Sequence, residues 1–156
     1  KAFREGLKTK DMTLALVGDG AEKEALKTLA VSLGIEDRVR FVPPCDPAPW
    51  YKAADVFCLP SRYEGLGMVA IEAQAAGTPC ILSDKVPEEA DVSGGCTFLP
   101  AETERDAALW GAEMAKDAPR IRDARQKAAD AGYDIGREAH NLTDFYRTAL
   151  KELHIL

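Results

Sequence analysis

The chain has 156 residues, which is enough for one domain with a sizeable hydrophobic core. Its formal net charge of -6 provides no basic excess for nucleic acid, and no apolar run is long enough to span a membrane. The cysteines lack the paired spacing of zinc ligands, so we expect free thiols and a reducing, cytoplasmic setting; they stand at Cys45, Cys58, Cys80 and Cys96.

Strands and helices alternate in the prediction for the first hundred residues. Five apolar segments have the length and composition of buried strands; they cover residues 13–17, 39–42, 56–59, 80–82 and 97–99. Helical segments lie between them, at residues 1–8, 21–33, 46–54 and 68–76. In the short helix over 46–54, we expect Trp50 and Tyr51 to pack on the sheet as core residues. This alternation predicts an α/β fold with a doubly wound parallel sheet.

A helical tail follows Pro100 in the prediction, with three successive helices over 102–116, 119–131 and 135–153. The charge run from 120 to 127 is interpreted as the solvated face of the middle helix. His140 and His154 lie on this tail without a Ser, Cys or carboxylate arranged as a nucleophile relay. They receive no catalytic role.

The segment from Ser61 to Pro79 carries the strongest functional signal. An apolar strand ends at Pro60, and Gly65 and Gly67 then free the backbone for a tight turn into a helix. Gly77 suits the left-handed position at the end of that helix. A helix that begins directly after a glycine turn points its free N–H groups and its positive dipole end at an anion. The sequence therefore predicts a phosphate site that needs no lysine.

Two carboxylates accompany this predicted phosphate site. Glu64 precedes the helix, and Glu72 lies about one turn inside it among small apolar residues, where a carboxylate needs a partner. Because carboxylates accept hydrogen bonds from hydroxyls, the pair would suit a ligand with a central phosphate and a polyhydroxylated group at each end. A nucleotide-sugar has this composition.

The same residues resemble a known family. The pattern Glu-Gly-x-Gly, a second Glu eight positions after the first, and then Ala-x-Gly-x-Pro is similar to the donor-site signature of retaining GT-B glycosyltransferases of family 4. Further segments resemble the C-terminal, donor-binding domain of that family, a Rossmann-like half of the GT-B fold; they are Val17-Gly18-Asp19-Gly20, Arg38-Val39-Arg40-Phe41, Ala54-Asp55-Val56-Phe57, Tyr133-Asp134-Ile135 and Phe145-Tyr146. Together they cover nearly the whole chain.

The resemblance implies roles for individual residues. Glu64 would be the catalytic-site carboxylate that accepts hydrogen bonds from the transferred sugar, and Glu72 would bind the ribose hydroxyls. Backbone amides would line the sugar and phosphate pocket at Gly65, Leu66, Gly67, Met68 and Val69. The backbone at Val42 and Pro43 would face the base, although the family usually has Gly in place of Pro43. No metal or cofactor is implied, and the sequence has no Asp-x-Asp motif.

The resemblance also implies what the intact enzyme would do. It would transfer a sugar, from a donor we expect to be UDP-linked, to a glycan or lipid-linked acceptor in polysaccharide or glycoconjugate synthesis. The resemblance allows peripheral membrane association and implies no nucleic-acid partner. We expect residues 1–156 to be one nucleotide-sugar-binding domain that lacks the family's first strand and its N-terminal acceptor domain. The two strands on either side of that first strand would then be separated, and residues 1–156 alone would not transfer sugar.

Three alternatives were weighed against this interpretation. A dinucleotide-binding oxidoreductase needs Gly-x-Gly-x-x-Gly, and Gly18-Asp19-Gly20 is not followed by the third glycine. A nucleotide-sugar epimerase of GT-B architecture would share the donor site. A non-catalytic nucleotide-sugar-binding module would share it too, and the sequence leaves these last two open.

Overall fold

Parallel strands and helices alternate along the chain, as predicted, in the computed structural model, which describes residues 1–153. The strands are β1 (Leu14–Val17), β2 (Val39–Val42), β3 (Phe57–Leu59), β4 (Cys80–Ser83) and β5 (Cys96–Leu99). The helices are α1 (Ala2–Gly6), α2 (Lys23–Ser32), α3 (Ala48–Ala53), α4 (Met68–Ala75), α5 (Asp106–Met114), α6 (Ala124–Ala128) and α7 (Ile135–Glu152). Two 3₁₀ turns, Glu36–Arg38 and Glu88–Ala90, and a π-helical turn over Ala129–Tyr133 complete the described elements.

The described strands form two parallel sheets and not one. β1 pairs with β2 from Leu14↔Val39 to Val17↔Val42. The second sheet has the order β3-β4-β5, with Phe57 opposite Cys80 and Cys80 opposite Cys96. No hydrogen-bonded strand pair joins β1 to β3 within residues 1–153. The expected separation of two strands is thereby confirmed.

Each sheet has its own apolar core. The first sheet packs around Phe3, Ala30, Ile35 and Val39. The second and larger core contains Tyr51, Ala70, Ala73, Cys80, Leu82, Val86 and Ala90. Tyr51 is buried as predicted, but Trp50 is 36% exposed, so the prediction that it packs on the sheet is wrong. Adjacent residues of a six-residue helix face different sides, and only one of the two aromatics can face the core.

A close crossing of α1 and α5 brings the first helix against the segment that follows the last strand. The backbones of Gly6 and Gly111 meet there: a Cβ atom on Gly111 would lie 2.7 Å from Gly6 N and from Ala2 O. Trp110, on α5, is buried and donates from its indole Nε1 to Pro100 O at 2.8 Å. Glycine is therefore required at the crossing because any side chain would push the two helices apart.

The helical tail differs from the prediction in its middle part. α6 begins at Ala124, five residues later than expected, because hydrogen bonds hold the preceding segment to the ends of α3 and α4. Arg120 donates to Ala54 O and Ala76 O, each at 2.8 Å, and Ile121 N donates to Gly77 O at 2.9 Å. The interpretation of 120–127 as a solvated helix face is wrong for Arg120, whose guanidinium binds one carbonyl at the end of α4, Ala76 O, and one at the end of α3, Ala54 O.

The last helix, α7, is confirmed as predicted and has no buried residue. Asp134 caps it by accepting a hydrogen bond from Arg137 N at 2.9 Å. Within residues 1–153, no helix is both long enough and apolar enough to cross a bilayer.

Candidate functional site

The turn between β3 and α4 has the geometry that the glycine pattern predicts. Gly67 is the N-cap of α4, is buried, and adopts the left-handed conformation with φ 77° and ψ 50°. The side chains of Val86 and Leu59 lie close beneath it: a Cβ atom on Gly67 would be 3.3 Å from Val86 Cγ1 and 3.4 Å from Leu59 Cδ2. Only glycine fits both the conformation and the space without strain.

The N-terminal end of α4 presents backbone N–H groups. Its first backbone hydrogen bond runs from Ala70 N to Gly67 O at 2.8 Å. The N–H groups of Met68 and Val69 precede it, and both residues are exposed on the surface of the protein. Such amides, together with the dipole of an eight-residue helix, favour a negative charge at this end.

Glu64 lies in the same turn, three residues before the N-cap, and is half-buried. The hydroxyl of Ser61 donates to Glu64 Oε1 at 2.7 Å. Because this bond uses one carboxylate oxygen, the other oxygen remains available to a ligand. Ser61 belongs to the sequence motif, but nothing near it in sequence indicates this contact.

Glu72 lies on α4, one turn beyond its N-terminus, and is exposed. Tyr51 Oη donates to Glu72 Oε2 at 3.1 Å, so this carboxylate also has a hydroxyl partner. Burial raises the pKa of Tyr51 to about 12, with a further contribution from Glu72. The phenol therefore stays protonated at neutral pH and acts as a donor.

The loop between β4 and β5 supports α4 from below. Gln74 is fully buried, and its amide donates to Ala70 O at 3.1 Å and to Ala90 O at 2.7 Å. Its Oε1 accepts from Ser93 N and Ser93 Oγ. Buried amides are stable only when both ends are paired, so this network fixes the loop to the helix. Sequence reasoning missed Gln74 because its partners are distant in the chain.

The two residues predicted to face the base lie at the end of β2, in the first sheet. Val42 is the last residue of β2 and is half-buried, and Pro43 follows it in an exposed position. Gly65 and Leu66, by contrast, lie in the same turn as Glu64. The structure thus brings Glu64, the glycine turn and Glu72 together through β3 and α4, while the approach of Val42 and Pro43 to the base stays a prediction.

One cavity lies away from this site. It has a volume of about 370 Å³ and lies at the amino-terminal edge of the second sheet, where Val56, Pro79 and Gly95 line it. Lys127 and Arg120 contribute cations there, but both donate to backbone carbonyls and thereby hold the segment before α6 in place. A cavity of about 160 Å³ lies beside Ser61, among Arg62, Ser83, Lys85, Ala101 and Glu102. The predicted site residues therefore lie around α4 and not in the cavity of about 370 Å³.

The described histidine lies on α7 and not in the turn or the helix of this site. His140 pairs with Asp144 across one turn of α7 at 3.2 Å, so it does have a carboxylate neighbour; both side chains are largely exposed. The prediction for His154 lies outside the described residues. Within residues 1–153, no group of three or more His, Cys, Asp or Glu side chains could hold a metal ion.

Parallel strands that lead into a glycine turn, followed by a helix with an open N-terminus, define an α/β domain of the kind that binds phosphorylated ligands. The chain belongs to the family of glycosyl transferases group 1, whose model matches residues 1–104. The predicted resemblance is thereby confirmed.

Individual proteins support this membership. Over 145 residues the chain is 39% identical to a D-inositol 3-phosphate glycosyltransferase of Nocardia farcinica, a match that covers 88% of this chain and 32% of that protein. A sucrose-phosphate synthase from Thermosynechococcus elongatus superimposes with a TM-score of 0.69 at 25% identity, covering 97% of this chain and 43% of that one. The chain spans about a third of the length of the curated relatives that it matches along most of its own length.

A third protein confirms the fold alone because its sequence is more distant. The pneumococcal O-GlcNAc transferase GtfA, solved in complex with UDP and GlcNAc, superimposes with a TM-score of 0.77 at 17% identity. The match covers 96% of this chain and 32% of that protein. The predicted domain fold, a Rossmann-like half of the GT-B fold, is thereby confirmed.

Proposed function

We propose that this chain is the donor-binding part of a retaining glycosyltransferase, which transfers a sugar from a UDP-linked donor to an acceptor in polysaccharide or glycoconjugate synthesis. The observation that carries the proposal is the arrangement around α4. Two carboxylates, Glu64 and Glu72, accompany one helix N-terminus, and each already accepts a hydrogen bond from a neighbouring hydroxyl. Family membership supports the same conclusion.

In this proposal the two carboxylates bind opposite ends of the donor. Glu64 accepts hydrogen bonds from hydroxyls of the transferred sugar, with the backbone of Gly65, Leu66 and Gly67 lining the same pocket. Glu72 accepts hydrogen bonds from the ribose hydroxyls. Charged acceptors form stronger hydrogen bonds than neutral ones, so each carboxylate contributes both affinity and orientation.

The N-terminus of α4 acts on the leaving group. As the glycosidic bond breaks, negative charge builds up on the diphosphate, which would lie against the N–H groups of Met68 and Val69. Those dipoles are already oriented by the Gly67 turn, so they stabilise the developing charge without reorganisation. No metal ion or cofactor is needed for this step.

The acceptor is proposed by its chemical class only. The acceptor would be a glycan or a lipid-linked glycan bound by another domain of the intact protein, with peripheral membrane association and a cytoplasmic location. The relatives named above act on different acceptors according to their names, so the donor site does not determine this choice.

Substitution of the two carboxylates tests the proposal in the intact protein. Glu72→Gln should lower the affinity for a free nucleoside diphosphate and for its sugar conjugate alike. Glu64→Gln should lower chiefly the affinity for the conjugate. Loss of a charged hydrogen bond should lower affinity by about tenfold to a hundredfold, measured by isothermal titration with UDP and UDP-glucose. Glu36→Gln, at an exposed position in the 3₁₀ turn before β2, is the matched control. Equal titration curves for wild type and Glu72→Gln would contradict the ribose assignment.

A nucleotide-sugar epimerase of the same architecture is the second candidate, because it would use the same donor site. Product analysis separates the two: the transferase releases nucleoside diphosphate only in proportion to glycosylated acceptor, whereas the epimerase yields an isomeric sugar without an acceptor.

A further inference from the structure

Each donor-site carboxylate accepts a hydrogen bond from a hydroxyl group. The partner of Glu72 lies on another helix, and the partner of Glu64 lies earlier in the same turn. Tyr51, on α3, reaches Glu72 across 21 positions of sequence, and Ser61 reaches Glu64 from just beyond β3. Each hydroxyl occupies one carboxylate oxygen. We propose that Tyr51 and Ser61 are positioning residues that orient Glu72 and Glu64 for the donor, an inference that rests on the proposed function above.

The physical basis is the flexibility of glutamate. A free glutamate side chain has several rotamers, and ordering it when a ligand binds lowers the affinity for that ligand. A hydroxyl that binds one oxygen restricts the side chain beforehand and directs the second oxygen outward. Glu72 needs this restriction because it is exposed on the surface of α4.

Tyr51 can serve as a fixed donor because it is held at several points. Its ring meets Phe57 edge-on, with centroids 5.5 Å apart and planes at 86°. Its backbone carbonyl accepts a hydrogen bond from the buried hydroxyl of Thr78. These contacts hold the ring against Phe57, with Oη at hydrogen-bond distance from Glu72. The shape of the core thus determines the orientation of a surface carboxylate.

The first experiment removes the phenol hydroxyl and keeps the ring. Of UDP, ADP and GDP, the nucleotide that wild type binds most tightly is used as the ligand. In the intact protein, Tyr51→Phe should lower the affinity for this nucleotide by about threefold to tenfold, the effect of one net hydrogen bond. The melting temperature should stay near the wild-type value because the packing against Phe57 is unchanged. Tyr146→Phe, which removes an exposed hydroxyl on α7, is the control and should change neither quantity.

A double-mutant cycle tests whether Tyr51 acts through Glu72. If it does, Tyr51→Phe should change nucleotide affinity by less than about twofold in the Glu72→Gln background, because the oriented charge is already gone. Equal effects in the two backgrounds would overturn the inference, since they would mean that Tyr51 binds the ligand directly or acts only on the fold.

Ser61 should affect binding of the sugar conjugate and not of the free nucleotide, because its partner is Glu64. Ser61→Ala should weaken UDP-glucose by about threefold to tenfold and leave UDP unchanged, and this effect should vanish in the Glu64→Gln background. Ser32→Ala, which removes a helical hydroxyl bonded to Leu29 O, is its control. Wild-type affinity for both ligands in Ser61→Ala would overturn its positioning role.

The proposed function can fail independently of this inference. If wild type binds none of the three nucleotides, or if Glu72→Gln binds them as wild type does, the donor-site assignment itself is wrong. Only the positioning inference is wrong if Glu72→Gln weakens nucleotide binding while Tyr51→Phe does not, or if Glu64→Gln weakens UDP-glucose binding while Ser61→Ala does not.

Discussion

Gln74 and Ser93 are joined by two hydrogen bonds although 19 positions separate them in sequence. Gln74 Oε1 accepts from Ser93 N at 3.2 Å and from Ser93 Oγ at 2.7 Å. The same amide donates to Ala90 O, so one buried side chain connects α4 to both ends of a turn in the β4–β5 loop. Since Val86 of that loop packs under Gly67, the position of the helix N-terminus depends on this connection.

Replacing Gln74 should therefore destabilise the protein. Gln74→Leu keeps the approximate volume but leaves Ala90 O and the Ser93 groups without their buried partner. The free energy of unfolding should fall by about 2–4 kcal/mol, measured by urea denaturation of the intact protein. Gln126→Leu removes an exposed amide that bonds Asp130 and should change stability by less than about 0.5 kcal/mol. Equal losses in the two variants would contradict the argument.

Gly67→Ala should affect both stability and donor binding. A left-handed alanine costs about 1–2 kcal/mol, and its methyl group would crowd Val86 and Leu59. Gly34→Ala is the matched control because Gly34 also has a positive φ, 66°, with open space around it. Both variants should lose stability, but only Gly67→Ala should lower the affinity for UDP, measured by isothermal titration. Unchanged affinity in Gly67→Ala would show that the turn does not set the amides of α4.

Burial should make the cysteines react unequally. Burial raises the pKa of Cys58 to about 12, with a smaller contribution from Cys80, so its thiol stays neutral at pH 8. Cys45 is exposed. Iodoacetamide should therefore label Cys45 well before Cys58 in the native protein, as followed by mass spectrometry of tryptic peptides. All four thiols should react in urea. Labelling of native Cys58 as fast as Cys45 would contradict the raised pKa of the Cys58 thiol.

Local patterns in the sequence were sufficient for most of the fold. The bounds of β2 match the prediction, and α4 begins at Met68 as predicted, because strand composition and the glycine turn act over a few residues. The segment of the proposed donor site was recognisable for the same reason: Glu64, Gly67 and Glu72 lie within one strand-turn-helix unit, where spacing along the chain fixes proximity in space.

Long-range contacts account for what the sequence did not reveal. Tyr51 was predicted only as a core residue, since nothing near it in sequence indicates that its hydroxyl meets Glu72. The helix predicted to begin at 119 starts at Ala124 because Arg120 binds carbonyls of Ala54 and Ala76. Local helix propensity is weaker than such tertiary contacts, so the prediction failed where the chain docks onto α4.

Transfer by the intact protein should survive removal of divalent metal ions. In the proposed mechanism the leaving diphosphate is stabilised by the N–H groups at the start of α4, which Gly67 orients before the donor binds. With acceptor and donor present, the rate of nucleoside diphosphate release should therefore change by less than about twofold when EDTA is added, since helix dipoles need no metal.

The control for this assay is a metal-dependent glycosyltransferase in the same buffer, which should lose activity and so show that chelation is effective. Gly67→Ala supplies the complementary test: by disturbing the amides it should lower the rate in the presence and absence of EDTA alike. Loss of wild-type activity with EDTA and its recovery with Mg²⁺ or Mn²⁺ would show that a metal ion, and not the end of α4, stabilises the leaving group.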